Sequence, residues 1–176
     1  INTSSSDSSD YSAFIDWNRS LVGWWSFDSY NSTHVFDNSS FGNNGTLEGV
    51  NFNSSNISDA KRGKGIKFDG IDDRITIGNN YDFGNSNFTL SAWINSNGLH
   101  HTGGTNQEGT IISKYNGSSN NRQWQLYQTS NGSITFYTSP DGTVHENLFG
   151  SVVENNTWVH ITAVLNGTEK IIYIDG

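Results

Sequence analysis

Two kinds of chemistry are within reach of this chain's side chains: oxygen coordination of a hard cation, and stacking of flat rings on a ligand. The stretch Asp37-Asn38-Ser39-Ser40-Phe41-Gly42-Asn43-Asn44-Gly45 supplies carboxylate, carboxamide and carbonyl oxygens of the sort calcium takes. Asp69, Asp72 and Asp73 make a second acidic group, although Asp-Gly-x-Asp-Asp is also what a tight turn uses. Trp124, Tyr127 and Tyr137, with Arg122 just ahead of them, could meet a sugar, whose apolar ring faces pack on aromatics while amides and charges satisfy its hydroxyls. Trp124 and Tyr127 point to opposite faces of one strand, so only one of them can be core. Trp24, Trp93 and Trp158 read as filling for the core.

Catalysis is not expected. Glu48, Glu108, Glu146, Glu154 and Glu169 are scattered rather than paired, and a glycanase needs two carboxylates facing each other across a groove. No Gly-x-Ser-x-Gly elbow, cysteine nucleophile or His-Glu-x-x-His helix occurs. His100-His101 lies in a glycine-rich loop and reads as solvated, and His160 as a surface or groove residue. The net charge of -8 leaves no basic patch for nucleic acid. No apolar run reaches the length of a membrane span. Asn-x-Ser/Thr acceptors stand at Asn2, Asn18, Asn31, Asn38, Asn44, Asn53, Asn56, Asn87, Asn116, Asn131, Asn155 and Asn166. Random placement would give about half as many. Turn chemistry accounts for part of the excess, and N-glycans on an exported or cell-surface protein account for the rest.

The elements that must position these residues are strands. Residues 1–10 are too polar to fold and read as a linker, followed by an apolar segment, Tyr11 to Trp17, within a leading region 1–20. Strands are expected over 21–27, 45–50, 65–68, 74–77, 88–96, 110–115, 123–129, 133–139, 143–149, 158–165 and 169–174, with no helical period. Asn131-Gly132, Pro140-Asp141-Gly142 and Asn166-Gly167 each join two alternating strands, which predicts antiparallel hairpins. Val159, Ile161, Ala163 and Leu165 alternate with polar partners, as in a sheet with one buried face. Aromatics at 13% supply much of the core, and without cysteine no disulfide helps. The fold class is therefore all-β, a two-sheet antiparallel sandwich in a single domain over 21–176.

The run Gly65-Ile66-Lys67-Phe68-Asp69-Gly70-Ile71-Asp72-Asp73-Arg74-Ile75-Thr76-Ile77, then Phe88-Thr89-Leu90-Ser91-Ala92-Trp93-Ile94, with Gly23-Trp24-Trp25-Ser26-Phe27-Asp28 before them, resembles laminin G-like members of the concanavalin A-like lectin/glucanase superfamily. The resemblance runs from about Leu21 to the last residue and implies a jelly roll. It also implies a structural calcium with Asp28, Asp37, Gly42 and Asn44 as candidate ligands. The Glu-x-Asp-x-x-Glu arrangement of the superfamily's glycanases is missing. Such domains usually continue past an Asp-Gly like Asp175-Gly176 into a closing strand. Missing residues, cleavage or a strand from another subunit would each explain its absence here. The expected function is a non-catalytic extracellular module that binds glycans or a cell-surface protein. The alternative is a structural subunit of a surface filament or coat, completed by strand donation between copies. Asn-rich, cysteine-free and dense in sequons, the chain looks archaeal.

Overall fold

In the computed structural model the described residues are 19–84, 86–98, 108–116, 121–139, 141–144 and 146–176. Twelve strands form: β1 (His34–Val35), β2 (Gly45–Glu48), β3 (Ile57–Asp59), β4 (Lys64–Ile66), β5 (Arg74–Thr76), β6 (Phe88–Asn95), β7 (Glu108–Asn116), β8 (Asn121–Thr129), β9 (Ser133–Thr138), β10 (Glu146–Val152), β11 (Trp158–Asn166) and β12 (Glu169–Ile174). A 3-10 turn at Ser54–Asn56 is the one helical element among the described residues. No helix is long and apolar enough to cross a membrane. The chain divides into two compact units, with the boundary after Gly78.

The C-terminal unit holds a four-stranded sheet, β10-β9-β8-β7, and a three-stranded sheet, β12-β11-β6, both antiparallel. Period two decides which residues are enclosed. Leu126, Ile134 and Phe136 project from the first sheet, and Leu90, Ile161 and Ala163 from the second, all buried. The rings of Phe88 and Phe136 meet edge to face at 5.8 Å and tie the layers together. This is the β-sandwich that the alternation along β11 requires, with Val159, Ile161, Ala163 and Leu165 all buried. The Asn131-Gly132 and Asn166-Gly167 hairpins form as expected, joining β8 to β9 and β11 to β12. Gly132 sits at φ +88, where a side chain would be strained.

The N-terminal unit has two small sheets, β1-β2-β5 and β3-β4, over a core of Val35, Leu47 and Phe52. Trp25, Phe27, Ile57, Ile66 and Ile75 pack against it. Gly45 is required in β2, because a Cβ there would come within 2.5 Å of Ile75 Cγ2.

Four expectations need correcting. Residues 21–27 form no strand: the Trp24 N–H donates to the Asp37 carboxylate at 2.8 Å instead of to a ladder, and Phe27 has φ +65. The strands flanking Asp69–Asp73 do not make a hairpin. β4 pairs with β3 and β5 with β2, so the acidic turn crosses between sheets. β10 begins at Glu146, three residues later than expected, because Asp141 Oδ1 takes the N–H groups of Thr143 and Val144, each at 2.8 Å. β1 and β3 are too short to leave a periodic signal. The leading segment up to Asn18, His100-His101 and Pro140 lie outside the described residues.

Candidate functional site

The inner face of the four-stranded sheet is core, so its chemistry belongs to the outer face. Pairing registers place two rows of side chains there. Phe149, Thr135, Tyr127 and Thr110 stand opposite one another in the first row, and Asn147, Tyr137, Gln125 and Ser113 in the second. Tyr115, two residues after Ser113, lies on the same face, where its ring meets that of Tyr137 at 5.6 Å in a T-shaped pair. Phe149 on the edge strand β10 is 66% exposed and Tyr115 on the opposite edge strand β7 is 43% exposed. Between them Tyr127, Tyr137, Gln125 and Thr135 are buried. Gln125 Nε2 donates to Thr110 Oγ1 at 2.9 Å, which fixes the carboxamide in the floor.

Burial pushes the Tyr127 phenol above its ordinary value, and the nearby Glu108 charge adds to the effect, so the ring stays neutral. The face thus carries exposed rings at its two edges, Phe149 and Tyr115, around an enclosed centre of rings, carboxamide and hydroxyls. Glu108 stands opposite Thr129 at one end of it, and the Asp82 carboxylate accepts from Gln123, two residues before Gln125 along β8. That combination suits hydrogen bonding and stacking rather than acid–base chemistry.

Of the sequence candidates, Tyr127 and Tyr137 share this face. Trp124 does not: it points into the core, stacks on Phe83 at 5.7 Å, and donates its indole N–H to Tyr81 O at 3.1 Å. Arg122 belongs to β8, but its side chain lies outside the described residues. Tyr115 and Phe149 were missed, because only cross-strand pairing decides which face of β7 and of β10 joins that of Tyr127 and Tyr137. On the outer face of the three-stranded sheet His160 meets Ser91 Oγ at 2.8 Å and packs on Trp93 at 5.1 Å, so Trp93 is not the core filling its residue type suggested.

The candidate calcium ligands are spread over two places. Asp37 is nearly enclosed. Its Oδ1 accepts from the N–H groups of Trp24 and Ser39, both at 2.8 Å, and its Oδ2 from Ser39 Oγ at 2.7 Å and Asn43 N at 2.9 Å. Burial alone would raise this carboxyl, but the donors outweigh it and hold it below the ordinary 3.8. Asn44 Oδ1 accepts from Asp37 N at 3.0 Å, and Gly42 turns the loop at φ +67. A cation at Asp37 would have to displace four donors, so these oxygens as arranged do not fit one. Asp28 is engaged elsewhere, with Oδ1 accepting from Lys64 N at 2.8 Å. The carboxylates of Asp69, Asp72 and Asp73 approach within 4.8 Å of one another. Asp73 Oδ2 takes Asp69 N at 2.9 Å, and Asp69 Oδ1 takes Ile71 N at 2.8 Å.

Among the sequons, Asn31, Asn38, Asn44, Asn53, Asn87, Asn131, Asn155 and Asn166 are exposed and Asn56 is half-buried. Asn2, Asn18 and the side chain of Asn116 lie outside the described residues. Asn131 and Asn155 flank a shallow cleft of ≈ 180 Å³ beside Gln128 and Val152.

No curated protein matches the chain. A family model for laminin G-like domains, described as the concanavalin A-like lectin/glucanases superfamily, matches residues 69–176. The match starts later than the resemblance from Leu21, and it takes in both sheets of the C-terminal sandwich. The strand order, the sandwich and this match agree, and the chain belongs to the laminin G-like family of the concanavalin A-like lectin/glucanase superfamily.

Proposed function

We propose that this chain is a non-catalytic, cell-surface recognition module that binds carbohydrate on the outer face of the four-stranded sheet. The observation that carries the reading is the convergence there of Tyr115, Tyr127, Tyr137 and Phe149 with Gln125, Asn147 and two threonine hydroxyls. Sugars need that mixture of ring faces and neutral hydrogen-bond partners. Family membership supports it, since laminin G-like domains often bind carbohydrates or receptors. A protein ligand would use the same rings.

Screening the chain against a glycan array, followed by titration of the best binder, tests the reading. Y115A and F149A should each weaken binding about tenfold or more, the loss expected when one stacked aromatic is removed. Unchanged affinity in both variants would sink it.

A strand-exchanging surface subunit is the second reading, favoured by the open edge of β10, where Phe149 and Val152 are both exposed. In that case F149A lowers the oligomer mass in light scattering and Y115A leaves it alone. Calcium enters either reading only as a stabiliser of the acidic loops. Comparing melting temperatures in millimolar calcium and in chelator tests it, because an ion that binds only the folded state must raise the value.

A further inference from the structure

We propose that Asn31 is the preferred N-glycan acceptor of the folded chain, with Asn131 second, and that hydrogen bonding disfavours Asn53, Asn56 and Asn87. The covalent step makes a simple demand. Asn Nδ2 attacks the anomeric carbon of a sugar carried on a lipid phosphate or diphosphate, and the N–C bond forms as the C–O bond to phosphate breaks. The phosphate leaves with the bonding pair, and one Nδ2 proton passes to a base of the transferase. A folded sequon is therefore usable where Nδ2 faces outward without a partner. It is better still where the carboxamide oxygen accepts hydrogen bonds, because each one fixes the amide with Nδ2 outward and makes the Nδ2 proton easier to lose.

Asn31 meets both conditions. It opens the tight hairpin between Tyr30 and Val35 and is exposed. Its Oδ1 accepts from Thr33 N at 2.9 Å, Thr33 Oγ1 at 3.3 Å and His34 N at 2.8 Å. The hydroxyl that defines the sequon lies beside the acceptor's own carboxamide, in an Asx turn, and is shared with His34 Nδ1 at 2.8 Å, while Nδ2 donates to none of the described residues. At Asn131 the oxygen accepts from Thr129 Oγ1 at 2.5 Å and Ser133 N at 3.0 Å. There, however, the sequon hydroxyl is turned away, with Ser133 Oγ donating to Gly150 O at 2.7 Å. The disfavoured sites spend Nδ2 internally: Asn53 on Asn51 O at 3.0 Å, Asn56 on Lys67 O at 3.3 Å, and Asn87 on Asn166 Oδ1 at 3.0 Å.

Occurrence in the cell rests on the surface setting proposed above, whereas the ranking rests on geometry alone, so the test is made on purified folded chain. The chain is incubated with an oligosaccharyltransferase that requires only Asn-x-Ser/Thr and with its lipid-linked donor, and each site is followed by glycopeptide mass spectrometry. Asn31 should be labelled at least about fivefold faster than Asn53, Asn56 or Asn87, the factor corresponding to freeing one hydrogen-bonded donor. The preference should vanish in urea-unfolded chain, and N166A, which releases the Asn87 amide, should raise labelling at Asn87. Equal rates across the folded sites, or an Asn31 labelled only after unfolding, would overturn the ranking.

Discussion

In the C-terminal unit, strands of 6 to 9 residues satisfy one another's backbone groups, whereas no described strand of the N-terminal unit exceeds 4 residues. Side-chain oxygens take over the missing pairing there. Asp37 accepts four hydrogen bonds, Asn31 three, and Asp28, Asp69, Asp72 and Asp73 each take a backbone N–H. The C-terminal unit instead encloses Phe136, Leu126, Ile134 and Ile161 completely. One unit is held mainly by packed apolar area and the other by charge-assisted bonds to loops, so they should answer differently to the same insult.

The largest effect should come from breaking the packed side. Phe136→Ala removes a fully buried ring that bridges the two sheets, and should cost about 3–5 kcal/mol in chemical denaturation, with little dependence on pH. A loss below about 1 kcal/mol would mean that the sheets do not share a tight core.

Next comes the charged side. Asp37→Ala strands four donors and should cost about 2–3 kcal/mol near neutral pH. Because the folded carboxyl lies below the ordinary 3.8, its contribution is complete above that pH and is lost as pH falls through the lower folded value. Asp59, Asp82 and Asp141 are also held below 3.8, so an acid titration of stability should show a decline below that pH that is smaller, not absent, in Asp37→Asn. Parallel acid curves for the two proteins would contradict the contrast between the units.

Gly132→Ala tests the hairpin that sets the β8–β9 register. It forces a side chain onto φ +88 and brings Cβ to 3.1 Å from Val152 Cγ1, so about 1–2 kcal/mol should be lost. The smallest effect should come from Glu146→Gln, which removes the charge from a 2.9 Å pair with Lys170. It should change stability by roughly 0.2–1 kcal/mol and lose its effect in high salt, since Glu146 is half exposed.

The same contrast explains which parts of the molecule could be read beforehand. The hairpins after β8 and β11 announce themselves through Asn-Gly between alternating segments, because turn chemistry and period two are local properties of the chain. Asp69–Asp73 carries an equally clear turn signal, yet its flanking strands pair with β2 and β3 rather than with each other. Strands of 3 residues present too few alternating positions to select a partner, so the rest of the unit selects for them. On the candidate face, Tyr127 and Tyr137 were named beforehand from residue type. Trp124 went to the core, and Tyr115 and Phe149 emerged from pairing.

Local chemistry in the chain determined the all-β class, the C-terminal hairpins, the lack of an acid pair on any one strand and the density of Asn-x-Ser/Thr triplets, since each depends on neighbours a few residues apart. Tertiary structure alone decided that Asp37 is ringed by four donors, that Trp124 is enclosed, and that rings from four strands share one face. Those outcomes join residues far apart in sequence.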